Sequence, residues 1–103
     1  MYEITLFYDA GCKEKVENKK IQFEPARAGA TTREKIYVRN NTKEDIRVTF
    51  TIESSDRDIK LESSTINLEP YKIEPITVIL NPKLSRTESI SVDFQISIRY
   101  AIY

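Results

Sequence analysis

Residues 90–102 read ISVDFQISIRYAI, with an apolar or aromatic side chain at every second position. Successive side chains of a β-strand point to opposite faces, so this period of two predicts a strand with one buried and one solvated face. At about 3.3 Å per residue, residues 89–103 would span roughly 45–50 Å, well beyond an ordinary strand of about 17–20 Å. We therefore expect part of this strand to run past its sheet or to form an exposed edge.

The same alternation recurs along the chain, clearly at 46–53 and 76–80. Weaker strands are predicted at 4–8, 20–24, 34–39, 59–62 and 65–68. Segments rich in Gly, Pro, Asn, Asp and Ser separate these strands at the spacing typical of sandwiches. Half-apolar strands must bury one face, and two facing sheets achieve this in a short chain. The pattern predicts an all-β sandwich of seven to eight antiparallel strands, with Phe23, Phe50 and Phe94 in its core.

Length and charge limit the functional classes. At 103 residues, 40% apolar and 31% charged, residues 1–103 are predicted to form a single domain with one core. Sixteen basic residues balance sixteen acidic ones, so no overall field attracts nucleic acid. Lys13, Lys15, Lys19 and Lys20 cluster, but glutamates are interleaved with them, which is typical of a solvated surface loop. Nucleic acid is therefore not expected as a partner.

The chain carries one cysteine, Cys12, so no disulfide can form within it, which favours a reducing compartment. Residues 1–6 lack the features of a signal peptide, and no apolar run approaches the roughly 18 residues of a membrane span. We expect a protein made in the cytoplasm, without a membrane partner.

Few residues of the sequence are candidates for catalysis or for metal binding. With no histidine, neither a Ser-His-Asp nor a Cys-His arrangement can be assembled, and Cys/His zinc sites are excluded. Glu53, Asp56 and Asp58 offer oxygen ligands for calcium, but their spacing misses the EF-hand pattern, and a solvated loop is the alternative. Gly11 and Gly29 are isolated, so there is no phosphate-binding loop. The sequence predicts no enzyme, no cofactor and no metal.

Several short motifs carry a family resemblance: IQFEP at 21–25, KIYVRNN at 35–41, INLEP at 66–70 and ITVILNP at 76–82. In this order they resemble the immunoglobulin-like sandwich family of major sperm protein and the abnormal-spindle/hydin domains. The resemblance implies an immunoglobulin-like fold and a scaffold that recognises peptide motifs. The opening, residues 4–8 followed by Asp9 and Ala10, also resembles small immunoglobulin-like structural proteins of tailed bacteriophages, which implies decoration of a capsid or a place on a tail.

Three functions follow as hypotheses. The first is a virion component such as a capsid decoration or tail accessory protein, made in the host cytoplasm, whose partner is a larger protein assembly. The second is a cytoplasmic scaffold that binds peptide motifs, and the third is a carbohydrate-binding module using exposed tyrosines. Little or no self-association is expected in isolation, because no long apolar surface run requires a permanent partner.

The partner surface predicted from sequence combines a basic loop with an aromatic chain end. It consists of Lys13, Lys15, Lys19, Lys20, Tyr100 and Tyr103. Residues 95–103 carry a single charge and end in the apolar and aromatic sequence YAIY at 100–103, whereas most domains keep a chain end polar. Tyrosine combines apolar area with a polar tip, which suits an interface. The alternative is that the last strand simply completes the sandwich, and Tyr37 and Tyr71 are open to the same two interpretations.

Overall fold

The computed structural model describes residues 3–25, 27–54, 58–85 and 87–100. In this part of the chain, the helical content is one short 3-10 helix, Glu17–Lys19. The eight strands are β1 (Ile4–Phe7), β2 (Lys20–Phe23), β3 (Thr32–Asn40), β4 (Ile46–Glu53), β5 (Ile59–Leu61), β6 (Thr65–Leu68), β7 (Ile73–Leu80) and β8 (Ile90–Tyr100).

The strands form two four-stranded sheets. Sheet A has the order β1-β3-β7-β5, and sheet B has the order β2-β8-β4-β6. Every strand pair is antiparallel. The predicted immunoglobulin-like all-β sandwich is confirmed, and all the predicted strands are present, with bounds that differ by at most a few residues.

The core lies between the sheets and uses the alternate positions that the sequence indicated. Phe23, Phe50 and Phe94 are all buried, as predicted. The rings of Phe50 on β4 and Phe94 on β8 meet edge to face, with centroids 6.1 Å apart and planes at 78°. Aromatic pairs favour this arrangement because the positive edge of one ring faces the negative face of the other.

The end of β8 differs from the prediction. The alternation suggested that Tyr100 points inward like the residues before it, but its side chain is 47% exposed. Burial declines along the strand: Phe94 is buried, whereas Ile96 and Ile98 are half-buried. The reason is that β2 flanks β8 only over residues 90–93. Ile102, also predicted to point inward, lies outside the described residues.

The long last strand does not leave its sheet, and only its second half, beyond the residues that pair with β2, forms an edge. Its pairing with β4 continues from Asp93 opposite Glu53 to Tyr100 opposite Ile46. Of the two expected outcomes, an overrun or an exposed edge, the structure shows the second for the residues it describes.

A buried asparagine ties the two sheets together at the Tyr100 end of the sandwich. Asn40, predicted in a turn, is the last residue of β3 and is fully buried. Its Nδ2 donates to the carbonyl oxygens of Glu44, Leu68 and Glu69 at 2.8, 3.2 and 3.0 Å. Its Oδ1 accepts from the Thr42 backbone N–H at 2.9 Å. A buried amide with its donors and acceptor satisfied fixes the β3–β4 loop against the end of β6.

Candidate interaction surface

The first half of the basic loop is shaped by one carboxylate. Asp9 accepts the backbone N–H groups of Lys13 and Glu14, each at 2.9 Å. The Glu14 bond, followed by the Lys13 bond, lowers the pKa of Asp9, because N–H donors stabilise the ionised form. Beyond this turn the chain runs back along β1, where Lys15 lies opposite Phe7. Lys13 and Lys15 are therefore exposed at the outer edge of sheet A.

The second half of the basic loop carries the chain from sheet A to sheet B. The 3-10 helix makes this crossing, and Lys19 within it has φ +55°. Lys20 then opens β2 opposite Asp93, with its Nζ 3.7 Å from a carboxylate oxygen and both side chains about half exposed. A pair this exposed is worth about 0–1 kcal/mol. Lys19 and Lys20 thus lie beside β8 with their side chains exposed.

Tyr8 anchors this crossing. Its hydroxyl donates to the Lys20 carbonyl oxygen at 3.4 Å, which links the end of β1 to the start of β2. Burial raises the pKa of Tyr8, and the negative charges of Glu34 and Glu17 raise it further. The phenol therefore stays protonated and keeps its donor at neutral pH.

The structure does not gather the predicted residues into one compact patch. Lys20 lies opposite Asp93, and Tyr100 is seven residues further along β8, which is about 23 Å in an extended strand. One side of β8 has Lys19 and Lys20 at one end and Tyr100 at the other, whereas Lys13 and Lys15 lie beside β1 of sheet A. Tyr103, the remaining predicted residue, lies outside the described residues.

A groove at the Tyr100 end of sheet B was not predicted. It encloses about 580 Å³. Its lining residues are Asp45, Ile46, Arg47, Asn67, Leu68, Glu69, Arg99 and Tyr100. Arg47 and Arg99 are directly opposite each other on neighbouring strands, and the Arg47 Nε donates to Asn67 Oδ1 at 3.1 Å. Both arginines occupy outward positions of alternating strands, but only the register shows that they are neighbours.

Tyr37 and Tyr71, the two tyrosines left open by the sequence, differ in exposure. Tyr37 is half-buried on sheet A, between Phe7 and Pro75 in the register, which supports the packing interpretation. Tyr71 is 64% exposed and has φ +61°, in a turn closed by a hydrogen bond from the Lys72 N–H to the Glu69 carbonyl at 3.1 Å. A side chain at this φ is unfavourable, and glycine is the usual residue there.

The calcium candidates are engaged in other bonds. Glu53 accepts from Gln95 Nε2 at 2.6 Å, and Asp58 accepts the Lys83 N–H at 3.0 Å. Asp56 lies outside the described residues. Within residues 3–25, 27–54, 58–85 and 87–100, no three Cys, Asp or Glu side chains are grouped as a metal site requires. Nor does any helix in these ranges have the length and apolar character to cross a membrane.

No protein-family model and no curated protein matches this chain. One similar solved structure is the "ASH / PapD-like domain of human CEP192 (PapD-like domain 7)", with a TM-score of 0.49 and 11% sequence identity. The alignment covers 65% of this chain and 63% of that domain. A likeness of this degree carries no function or partner from one protein to the other. The resemblance to bacteriophage structural proteins stays a prediction.

Proposed function

We propose that this protein is a non-enzymatic interaction domain that docks onto a larger protein assembly with the side of β8 that faces away from β4. The observation that supports this most directly is the loss of burial along β8, from buried Phe94 through half-buried Ile98 to exposed Tyr100. Apolar positions that face the core but lack full cover favour contact with another polypeptide. At the other end of this side, the exposed Lys19 and Lys20 add charged contacts at its rim.

The assembly we propose first is a virion, with the domain on a capsid or tail. The alternative is a cytoplasmic scaffold that binds peptide motifs, and one observation favours it. Arg47 and Arg99 lie directly opposite each other on sheet B. Like charges in this position destabilise a sheet, and a carboxylate from a bound peptide would offset their repulsion.

The source of the protein distinguishes these assemblies. If the first proposal holds, mass spectrometry of gradient-purified virus particles detects this chain at a constant ratio to the capsid or tail proteins. If the chain is instead absent from particles and recovered with cellular complexes, the virion role is wrong and the scaffold role stands. Recovery of the chain only as a free protein from both sources contradicts docking altogether.

Charge reversal tests whether the basic loop takes part in docking. We expect Lys13→Glu, Lys15→Glu and Lys19→Glu together to weaken recovery with the assembly, since rim charges govern encounter with a partner. The matched control is Lys35→Glu, Lys60→Glu and Lys72→Glu, which makes the same change in charge at exposed positions elsewhere. Equal recovery of the two triple variants would show that the basic loop does not face the partner.

A further inference from the structure

The backbone direction of β4 determines which groups of β8 are unpaired. The Phe50 N–H on β4 donates to the Ser64 carbonyl at 2.7 Å, on the β6 side. In an antiparallel sheet, alternate residues direct their N–H and C=O to opposite sides. Thr49 therefore faces β8, where it lies opposite Ser97. It follows that Ser97 bonds towards β4, and its neighbours on either side direct their backbone groups away from β4.

The residues that face away from β4 are Ile96, Ile98 and Tyr100. On that side, β2 pairs only with residues 90–93, and the 3-10 helix next to it contacts β8. Continuing the register of β2 places the three residues of that helix beside Phe94, Gln95 and Ile96, but no backbone hydrogen bond joins the helix to Ile96. On the side of β8 that faces away from β4, no strand of the described chain reaches residues 96–100. We call residues 96–100 the β8 edge: a row of three N–H and three C=O groups without a backbone partner among the described residues.

The β8 edge lacks several of the features that usually prevent strand addition. Such edges are protected by proline, by a charge that points inward, or by a bulge. The β8 edge has no proline, and its one charge, Arg99, points outward. Its inward residues Ile96 and Ile98 are half-buried, whereas their partners on β4, Phe50 and Val48, are buried. An added strand would cover this apolar surface and satisfy the backbone groups together.

We propose that the β8 edge accepts a short extended segment of a partner protein as an additional strand of sheet B. This inference rests on the proposed function and specifies its contact. The main-chain bonds come from Ile96, Ile98 and Tyr100, and the pleat sets the chemistry of the segment. The segment's residue opposite Ile98 points inward and is apolar. Its neighbour opposite Arg99 points outward and is Asp or Glu, because opposite charges across a strand pair stabilise it.

A folded second copy is a poorer occupant than a single segment. The open part of the edge is five residues long, or about 17 Å of strand. A stable dimer interface buries about 1,200 Å² or more, which needs contacts well beyond such a short pairing. An extended segment requires only the edge itself and the apolar surface beside it.

The first test uses an acetylated and amidated heptapeptide in which three valines alternate with two glutamates between terminal threonines. Titration into the 15N-labelled full chain should produce saturable NMR shifts in the amides of residues 96–100. A peptide of the same composition with its valines consecutive should cause smaller shifts, and one with lysine in place of glutamate should bind more weakly. Shifts confined to other residues, or no shifts, would overturn the inference.

The second test separates backbone from side-chain contributions at Tyr100. Tyr100→Pro removes the ring and the backbone N–H that points away from β4, whereas Tyr100→Ser removes the ring and keeps this N–H. Neither substitution affects a bond to β4, because Tyr100 directs its backbone away from it. We expect the proline variant to bind the peptide about tenfold more weakly than the serine variant, as for one lost backbone hydrogen bond. Equal affinities for two folded variants would refute strand addition.

A dilution series and an assembly assay complete the design. If the amides of residues 96–100 shift with protein concentration alone, the occupant is a second copy and the partner-segment proposal is wrong. If the peptide does not bind but the chain still enters its assembly, strand addition fails and the proposed function stands. If the peptide binds at the β8 edge but the chain is not recovered in any assembly, the strand-accepting edge stands and the proposed function fails.

Discussion

Individual polar and strained residues at the ends of the sandwich fix its loops. Asn40 joins the β3–β4 loop to the end of β6, and Asp9 holds the turn before Lys13. Tyr71 holds a backbone conformation that favours glycine. Each of these residues acts through the backbone, so each makes a prediction that a single substitution tests.

Asn40→Ala should destabilise the fold strongly. The substitution removes the donors to three carbonyl oxygens and the acceptor for the Thr42 N–H in a buried site. Because buried polar groups would be left without a hydrogen-bond partner, we expect the free energy of unfolding to fall by roughly 2–3 kcal/mol. Urea denaturation measures this. Asn67→Ala is the control, because that amide is exposed, and a cost as large for Asn67 would contradict the role assigned to Asn40.

At position 71, a glycine variant should be more stable than an alanine variant, which is the reverse of the usual order. A left-handed φ costs a residue with a Cβ atom about 1–2 kcal/mol, and glycine avoids this cost. We therefore expect Tyr71→Gly to be more stable than Tyr71→Ala by about 1 kcal/mol in thermal or urea unfolding. Both variants lose the same ring, so the difference isolates the backbone. A more stable alanine variant would show that Tyr71 is not strained.

The Asp9 turn should weaken in acid. The pKa of Asp9 is lower in the folded chain, so its contribution is present above the ordinary value of 3.8 and is lost as pH falls through the folded value. NMR titration should show the Asp9 carboxyl titrating below 3.8, with the Lys13 and Glu14 amide resonances moving at the same midpoint. Asp9→Asn is the control, in which those amide resonances should not move over this range.

At the scale of elements, β4 and β8 form the longest pairing of sheet B and carry its aromatic core. Their register runs from Glu53 opposite Asp93 to Ile46 opposite Tyr100. The same register creates the arginine pair on the outer face and leaves the β8 edge on the other side of β8. Stability and the proposed docking thus depend on opposite sides of one strand.

Phe50→Ala and Phe94→Ala should each lower the free energy of unfolding by roughly 3–5 kcal/mol, as expected for aromatic truncation in a packed core. Because the rings touch edge to face, the double variant should cost less than the sum of the two, by about 0.5–1.5 kcal/mol. Urea denaturation of the original protein, the two single variants and the double variant measures this coupling energy between the rings. Melting temperatures within a degree of the original would show that these rings are not core.

At the scale of the whole molecule, the sandwich buries its core between two sheets and exposes its apolar edge over a short length. We expect a monomer of 12.0 kDa at micromolar concentration, because the open β8 edge is too short to supply a stable dimer interface. Light scattering coupled to size exclusion measures the mass. A stable higher oligomer would contradict both this prediction and the choice of a partner segment over a second copy.

The candidate surface was predictable only in part. The sequence indicated a loop position for Lys19 and Lys20 and a position near the chain end for Tyr100. The structure places these three residues along one side of β8. The groove containing Arg47 and Arg99 was not predicted, since residues so far apart in sequence meet only through the β4–β8 register. The strain at Tyr71 also had no sequence signal, because its preceding proline indicates a turn but not the turn type.

The amino-acid sequence by itself determined the fold class, the strands and the aromatic core, because the two-residue alternation of apolar side chains is a local property of each strand. The tertiary structure decided which strands are neighbours and how far each pairing extends. How far Ile96, Ile98 and Tyr100 are buried depends on β2, which pairs with β8 only between Ile90 and Asp93. No pattern within β8 itself indicates where this pairing stops. An edge is the absence of a neighbouring strand, so only the assembled sheet reveals where sheet B remains open among the described residues.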